Sequence, residues 1–143
     1  MEDSYHLGIK GLIRNSSGEI LLLKVNPNKL KPGNNDYWDL PGGRVQKDST
    51  VAQTLEREVQ EETGISGIFN VKEVGMVLSK IRIPIDDGSV GLILGIYSCE
   101  IPDGSKITIS DEHLDSQWFS PKKAGELLAI KYPEHFCELI AKL

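Results

Sequence analysis

Three glutamates and an arginine stand together in REVQEETG, Arg57 to Gly64, and their spacing is the first chemical signal in the chain. Glu58, Glu61 and Glu62 fall within about one helical turn, where like charges three and four positions apart repel. Such crowding is tolerated when the charges face water, or when a cation sits between them. On a wheel turning about 100° per residue, with Val51 at zero, Leu55 and Val59 mark an apolar stripe at about +40° and +80°. Glu58 and Glu62 fall at about −20° and +20°, beside that stripe and one turn apart, with Glu61 flanking them at about −80°. Glu56 and Gln60 lie round on the outer side. Carboxylates at the edge of a core carry a desolvation penalty and repel each other unless positive charge intervenes. Arg57, one turn from Glu61, balances only part of three charges. A hard divalent ion such as Mg2+ would balance more, since it binds through one or two carboxylates plus water and substrate phosphates. From the wheel alone, ordinary glutamates on a partly exposed seam and a metal site stand equally open.

The segments that must position this cluster follow from local pattern. The helical pattern begins at Ser49 or Thr50, with Ser49 well suited to cap it, and Gly64 ends it as a C′ residue. Just before it, LPGGRV places Gly42 and Gly43 where the backbone can turn sharply and approach a ligand. Further upstream, Gly8 to Arg14 and Ile20 to Val25 are apolar, and the turn chemistry of NSSGE between them predicts a β-hairpin. The stretch NPNKLKPGNNDYWDLPGG reads as a long loop, and long ordered loops in small domains are disproportionately functional. Strands are expected near Val71 to Ile83 and Val90 to Ile101, joined by PIDDGS. A second loop, PDGSKITISDEHLDS, leads into QWFSP, where Ser120 reads as an N-cap with Pro121 at the first helical position. Helices near Pro121 to Ala129 and Pro133 to Lys142 close the chain. Strands mixed with three helices predict a layered α/β fold.

Read as a whole, GGRVQKDSTVAQTLEREVQEETGI resembles the Nudix box, whose pattern runs Gly-x5-Glu-x7-Arg-Glu-U-x-Glu-Glu-x-Gly-U with U a bulky aliphatic. Gly43 opens it, Arg57, Glu58 and Val59 follow, then Glu61 and Glu62, and Gly64 and Ile65 close it. WDLP before it and SDEHLDSQWFSP after it also look like flanks of MutT-like members, so the resemblance spans nearly the whole chain. It implies an α/β/α sandwich around a mixed β-sheet. It also implies a hydrolase of phosphoric anhydride bonds, a pyrophosphohydrolase that cleaves a nucleoside diphosphate linked to another group with Mg2+ or Mn2+. Carried over by position, Glu58, Glu61 and Glu62 bind metal or activate the attacking water, Arg57 orients one of them, and the Gly42 carbonyl is an extra metal ligand. In such proteins a downstream loop glutamate completes the metal site or serves as base, which points to Glu112, with Asp111 next. One position departs: the first glutamate of the box is replaced by Ser49, with Asp48 beside it. That departure keeps a second reading open, a Nudix-fold module that senses a nucleotide without cleaving it.

The remaining residues carry weaker signals. Trp38 reads as core rather than as a stacking platform for a base, with Tyr37 beside it, and His113 as a surface residue. Lys24, Lys80 and Arg82 are strand cations with nothing to choose among them as phosphate contacts. At 143 residues the chain, 1–143, is expected to be one domain. A net charge of −5 argues against broad DNA binding, but not against a small phosphate-bearing substrate. No leader pattern or membrane-length apolar run is present, and Cys99 and Cys137 read as two ordinary thiols of a reduced, cytoplasmic protein. Homodimers are common among proteins of this resemblance.

Overall fold

The computed structural model describes residues 1–29 and 36–143, so the middle of the predicted long loop, residues 30–35, lies outside it. Two sheets form the centre. The larger has strands β1 (Tyr5–Ile13), β4 (Gly42–Arg44), β5 (Phe69–Leu78), β6 (Ile83–Ile85) and β7 (Gly88–Glu100). Strand β1 runs parallel to β7 and antiparallel to β4, while β5 and β6 both pair antiparallel with β7, so the sheet is mixed. The smaller is antiparallel, with β2 (Ile20–Val25) between β3 (Trp38–Asp39) and β8 (His113–Phe119). Helix α1 (Val51–Thr63) packs Leu55 and Val59 against Ile9, Ile13, Leu21 and Leu23 on one side. On the other side, α2 (Pro121–Leu127) and α3 (Glu134–Ala141) contribute Ala124, Phe136 and Ile140 to a core with Leu12, Leu22, Leu94 and Ile96. Sheets between helical layers make the expected mixed α/β arrangement.

The expected hairpin of the first two strands is not formed. The turn exists: Asn15 N–H donates to the Glu19 carbonyl at 3.1 Å, and a single bridge joins Arg14 to Ile20. Beyond that bridge the strands diverge into different sheets, because the edges of β1 are taken by β7 and β4. Turn chemistry fixes a chain reversal locally, whereas the pairing partner lies far downstream in β7, with Tyr5 opposite Gly91 and Ile13 opposite Cys99. Two boundaries also shift. The turn at PIDDGS joins β7 to the short β6 rather than to the long β5, and β8 already begins at His113, inside the predicted loop.

The cap of α1 lies one residue beyond Ser49. Thr50 Oγ1 accepts from Gln53 N–H at 3.1 Å, and the Gln53 side chain accepts from Thr50 N–H at 2.9 Å, a reciprocal capping box. Gly64 ends the helix in the left-handed region, and Ser120 caps α2 ahead of Pro121, both as expected. Leu55, Val59 and Glu62 are buried, Glu58 is half-buried, and Glu56, Gln60 and Glu61 are exposed, which is the order the wheel predicts. Trp38 packs edge-on against Phe119 as part of the core, and both cysteines are buried free thiols.

Candidate active site

The strand pairing that lifts β4 against β1 also places the glycine loop beneath α1. Lys10 stands opposite Gly42 and Ile9 opposite Gly43, and Gly11 N–H donates to the Pro41 carbonyl at 2.8 Å. Gly42 has a φ of +150°, and a Cβ there would overlap the Ile9 carbonyl and stand 2.8 Å from Lys10 Cα. Gly43 is required for a different reason. A Cβ on it would lie 2.5 Å from the carboxyl carbon of Glu58 and 2.7 Å from both its oxygens. The loop backbone and the Glu58 carboxylate therefore occupy one place, and only glycine lets them meet. Arg57 donates to Glu58 Oε1 at 3.3 Å rather than to Glu61 one turn on. Glu62 Oε1 accepts the Gly42 N–H at 2.7 Å.

These groups border a cleft of about 1120 Å³ between the two sheets, with Glu58, Glu61, Glu62, Gly42, Asp111 and Glu112 on its rim and wall. Glu112 is held there by backbone bonds: its carbonyl accepts from Asn26 N–H at 3.0 Å, and the Asn26 side chain donates to the Asp111 carbonyl at 3.0 Å. Glu62 is 6% exposed. Burial pushes its pKa up to about 7, against the pull of the Lys10 ammonium and the Gly42 N–H, with Asp39 and Glu58 pushing further upward. A buried carboxylate of this kind gains from a cation brought beside it.

The floor of the cleft was not foreseen. Lys10 and Lys131 both bond Asp39 Oδ2, at 3.1 and 2.5 Å, while Tyr132 Oη and Leu40 N–H bond Oδ1 at 2.5 and 2.8 Å. Burial alone would push the Asp39 carboxyl up, but Lys10, Lys131 and the Lys131 and Tyr132 hydrogen bonds hold it well below the usual carboxylate range. Two ammonium groups against one carboxylate leave the floor cationic, next to the carboxylates of α1. Lys10 also donates to the Leu40 and Gly42 carbonyls, at 3.2 and 3.4 Å. The cations weighed from sequence are occupied elsewhere: Lys24 pairs Asp36, Arg82 pairs Asp3 and Lys80 bonds the Ala129 carbonyl. His113, expected on the surface, lines the cleft with its side chain 8% exposed.

Residues 4–139 match the family model for the NUDIX domain. The chain belongs to the Nudix family. Its members hydrolyse phosphoric anhydride bonds, and the chain is a Nudix hydrolase. It is 26% identical over 129 residues to a MutT-like protein of Streptomyces ambofaciens, covering 90% of this chain and 72% of that one. It is 28% identical over 119 residues to the CTP pyrophosphohydrolase of Escherichia coli, covering 81% and 73% of the two chains. Among solved structures, the MutT protein of Methanosarcina mazei superposes with a TM-score of 0.72 at 28% identity, over 99% of this chain and 94% of that one. The dihydroneopterin triphosphate pyrophosphohydrolase of Escherichia coli shares the fold, with a TM-score of 0.74 at 19% identity over 98% and 97%.

Nudix hydrolases generally work with divalent metal ions, and the residues here fit one in the chemistry of their donors. Glu58, Glu61, Glu62 and Glu112 border the cleft with carboxylate oxygens, the hard donors that suit such an ion, and Glu62 is buried. Among the described residues no three His, Cys, Asp or Glu side chains are grouped so as to hold an ion by themselves. The position that departs from the Nudix box lies off to one side. Neither Ser49 nor Asp48 borders the cleft, although Gln46 does, and Asp48 sits exposed with a φ of +67°. Among the described residues no helix is long and apolar enough to cross a membrane.

Proposed function

We propose that this chain, read as one Nudix domain over 1–143, is a metal-dependent pyrophosphohydrolase that cleaves a nucleoside diphosphate linked to another group, with nucleoside triphosphates the leading substrate class. The observation that carries this is the meeting of the Glu58 carboxylate with the Gly42–Gly43 backbone at the wall of a nucleotide-sized cleft. The names of relatives, a CTP pyrophosphohydrolase among them, agree with the substrate class. Glu58, Glu61, Glu62 and the Gly42 carbonyl are the groups that would hold Mg2+ or Mn2+. Such an ion neutralises phosphate oxygens and activates water for attack.

The chain's own residues do the rest. Arg57 fixes the rotamer of Glu58, and the Gly42 N–H fixes that of Glu62, so both carboxylates are set before substrate arrives. Glu61 on α1 and Glu112 on the facing loop border the cleft from two sides, and either can take the proton released by the attacking water. Lys131 and Arg44, which also line the cleft, offer positive charge to the anionic substrate.

Release of phosphate or pyrophosphate from a panel of nucleoside triphosphates, dinucleoside polyphosphates and nucleotide sugars, with Mg2+ and with Mn2+, tests the reading. Metal-dependent turnover of at least one class is the expected result. Nucleotide binding without turnover would favour the second reading, a sensing module, for which Ser49 is the supporting residue. Two variants sharpen the test. Gly43→Ala should fold, since the flexible Glu58 side chain can move, yet lose about 100-fold in kcat because a carboxylate is displaced. Ser49→Glu should raise kcat by roughly 10-fold, the scale of an outer-shell contact. An unchanged rate would strip that departure of functional weight.

A further inference from the structure

We infer that the Lys131 ammonium selects the base of the bound nucleotide, taking the keto-bearing guanine and uracil over the amino-bearing adenine and cytosine. The inference rests on the nucleotide reading above and names the bases within it. An ammonium carries three N–H donors and no acceptor. Lys10 engages three acceptors, the Asp39 carboxylate and the Leu40 and Gly42 carbonyls. Lys131 engages one, Asp39 Oδ2 at 2.5 Å, its only hydrogen-bond acceptor among the described residues. Its side chain is 9% exposed and borders the cleft. Two N–H donors of a largely desolvated ammonium are therefore left for a ligand, and a buried donor gains from finding an acceptor. Their position is fixed from behind. The Lys131 carbonyl accepts from Lys80 N–H at 2.8 Å and from the Ser79 hydroxyl at 3.0 Å.

The surroundings suit a flat ring. Phosphates belong at the glycine loop, where Glu58 meets Gly43, and an apolar wall of Leu92 and Leu94 begins beside it. A Cβ on Gly8 would stand 2.9 Å from Leu94 Cδ2, 3.7 Å from Leu92 Cδ1 and 3.6 Å from the Gly43 carbonyl oxygen. Ser79 ties the wall to Lys131, since its N–H donates to the Leu92 carbonyl at 2.9 Å while its hydroxyl holds Lys131. The Tyr37 ring lies 5.8 Å from the Lys131 Nζ and also lines the cleft. A base against this wall gets apolar faces and, at its edge, donors only. Guanine offers O6 and N7 to such donors, and uracil offers O4. Adenine and cytosine place an amino group at the matching position, so donor would face donor.

The test is kcat/KM for GTP, ATP, UTP and CTP under one set of metal conditions. The GTP/ATP and UTP/CTP ratios should each be about tenfold or more, the scale of one well-placed polar contact. Either ratio near one would overturn the inference. Lys131→Met keeps the apolar stem without donors and leaves Asp39 its Lys10 partner. It should bring both ratios within about threefold, chiefly by raising KM for GTP and UTP. Unchanged ratios in that variant would also overturn it, whereas a merely structural lysine would lower all four substrates alike. Should Lys131→Met not fold, purine analogues with the wild-type protein decide. Inosine triphosphate, which keeps O6, should stay within about threefold of GTP, and 2-aminopurine riboside triphosphate, which lacks it, should fall about tenfold or more. The reverse order sinks the idea. If no triphosphate is turned over, the hydrolase reading falls by itself, and the same ratios taken from dissociation constants of the α,β-methylene triphosphates decide the base preference.

Discussion

Replacing Glu62 by Gln should lower kcat by at least about two orders of magnitude, the scale of losing a major electrostatic element. The substitution is nearly isosteric, and its amide oxygen still accepts the Gly42 N–H that Glu62 holds at 2.7 Å, so the fold should survive. Removing a largely desolvated carboxylate relieves a burial penalty, so thermal stability without metal should hold or rise. Loss of rate with retained stability is the signature of a working group, and a drop in both would point to a structural one. Glu58→Gln should behave likewise, although it also dissolves the charged half of the Arg57 contact at 3.3 Å. The check is kcat at saturating substrate in Mg2+ and in Mn2+, alongside a melting curve for each variant. Full activity in both variants would show that the acidic face of α1 is not where the reaction happens.

What the sequence could reveal here divides along the range of the interactions. Helix α1 was legible because its rule is local: a 3.6-residue period places Glu58 and Glu62 beside Leu55 and Val59 whatever surrounds them. Its ends were legible to within one residue, since Ser49 and Thr50 are both good caps and only the Gln53 contact decides between them. The Nudix box gave the rim of the cleft. Its floor was hidden because Lys10 and Asp39 are 29 positions apart and Asp39 and Lys131 are 92 apart, so no window of sequence holds the cluster. One hint was present. Lys10 interrupts the apolar run LGIKGLI in a strand buried on both faces, and a charge in that setting needs a partner. His113 was misjudged by the same route: its loop is polar, but the first residue of β8 faces inward.

That hidden floor carries the largest stability effect expected of any single change. Asp39 accepts four hydrogen bonds and is the only carboxylate bonded to Lys10 and Lys131 among the described residues. Asp39→Asn would leave two ammonium groups, each 7% exposed, without the carboxylate bonded to both. Breaking one partner out of a buried ion pair costs about 3–5 kcal/mol, so the melting temperature should fall by roughly 10–20 °C. The sign of the pH dependence follows from the depressed Asp39 pKa. A carboxyl that is harder to protonate in the folded chain adds stability above its ordinary value of 3.8, and that contribution is lost as pH falls through the folded value. The part of the gap between wild type and Asp39→Asn that comes from this carboxyl should therefore narrow in acid below about pH 4. Removing all three charges together, as Lys10→Met, Asp39→Leu and Lys131→Met, should recover part of the lost stability, because the desolvation penalties vanish with the charges. It should not recover activity. Lys10 also donates to the Gly42 carbonyl, and without that contact the glycine loop loses one of the bonds that hold it under the Glu58 carboxylate. A stability loss for Asp39→Asn under about 1 kcal/mol, or a gap that widened in acid, would show that the two lysines find enough compensation elsewhere in the cleft.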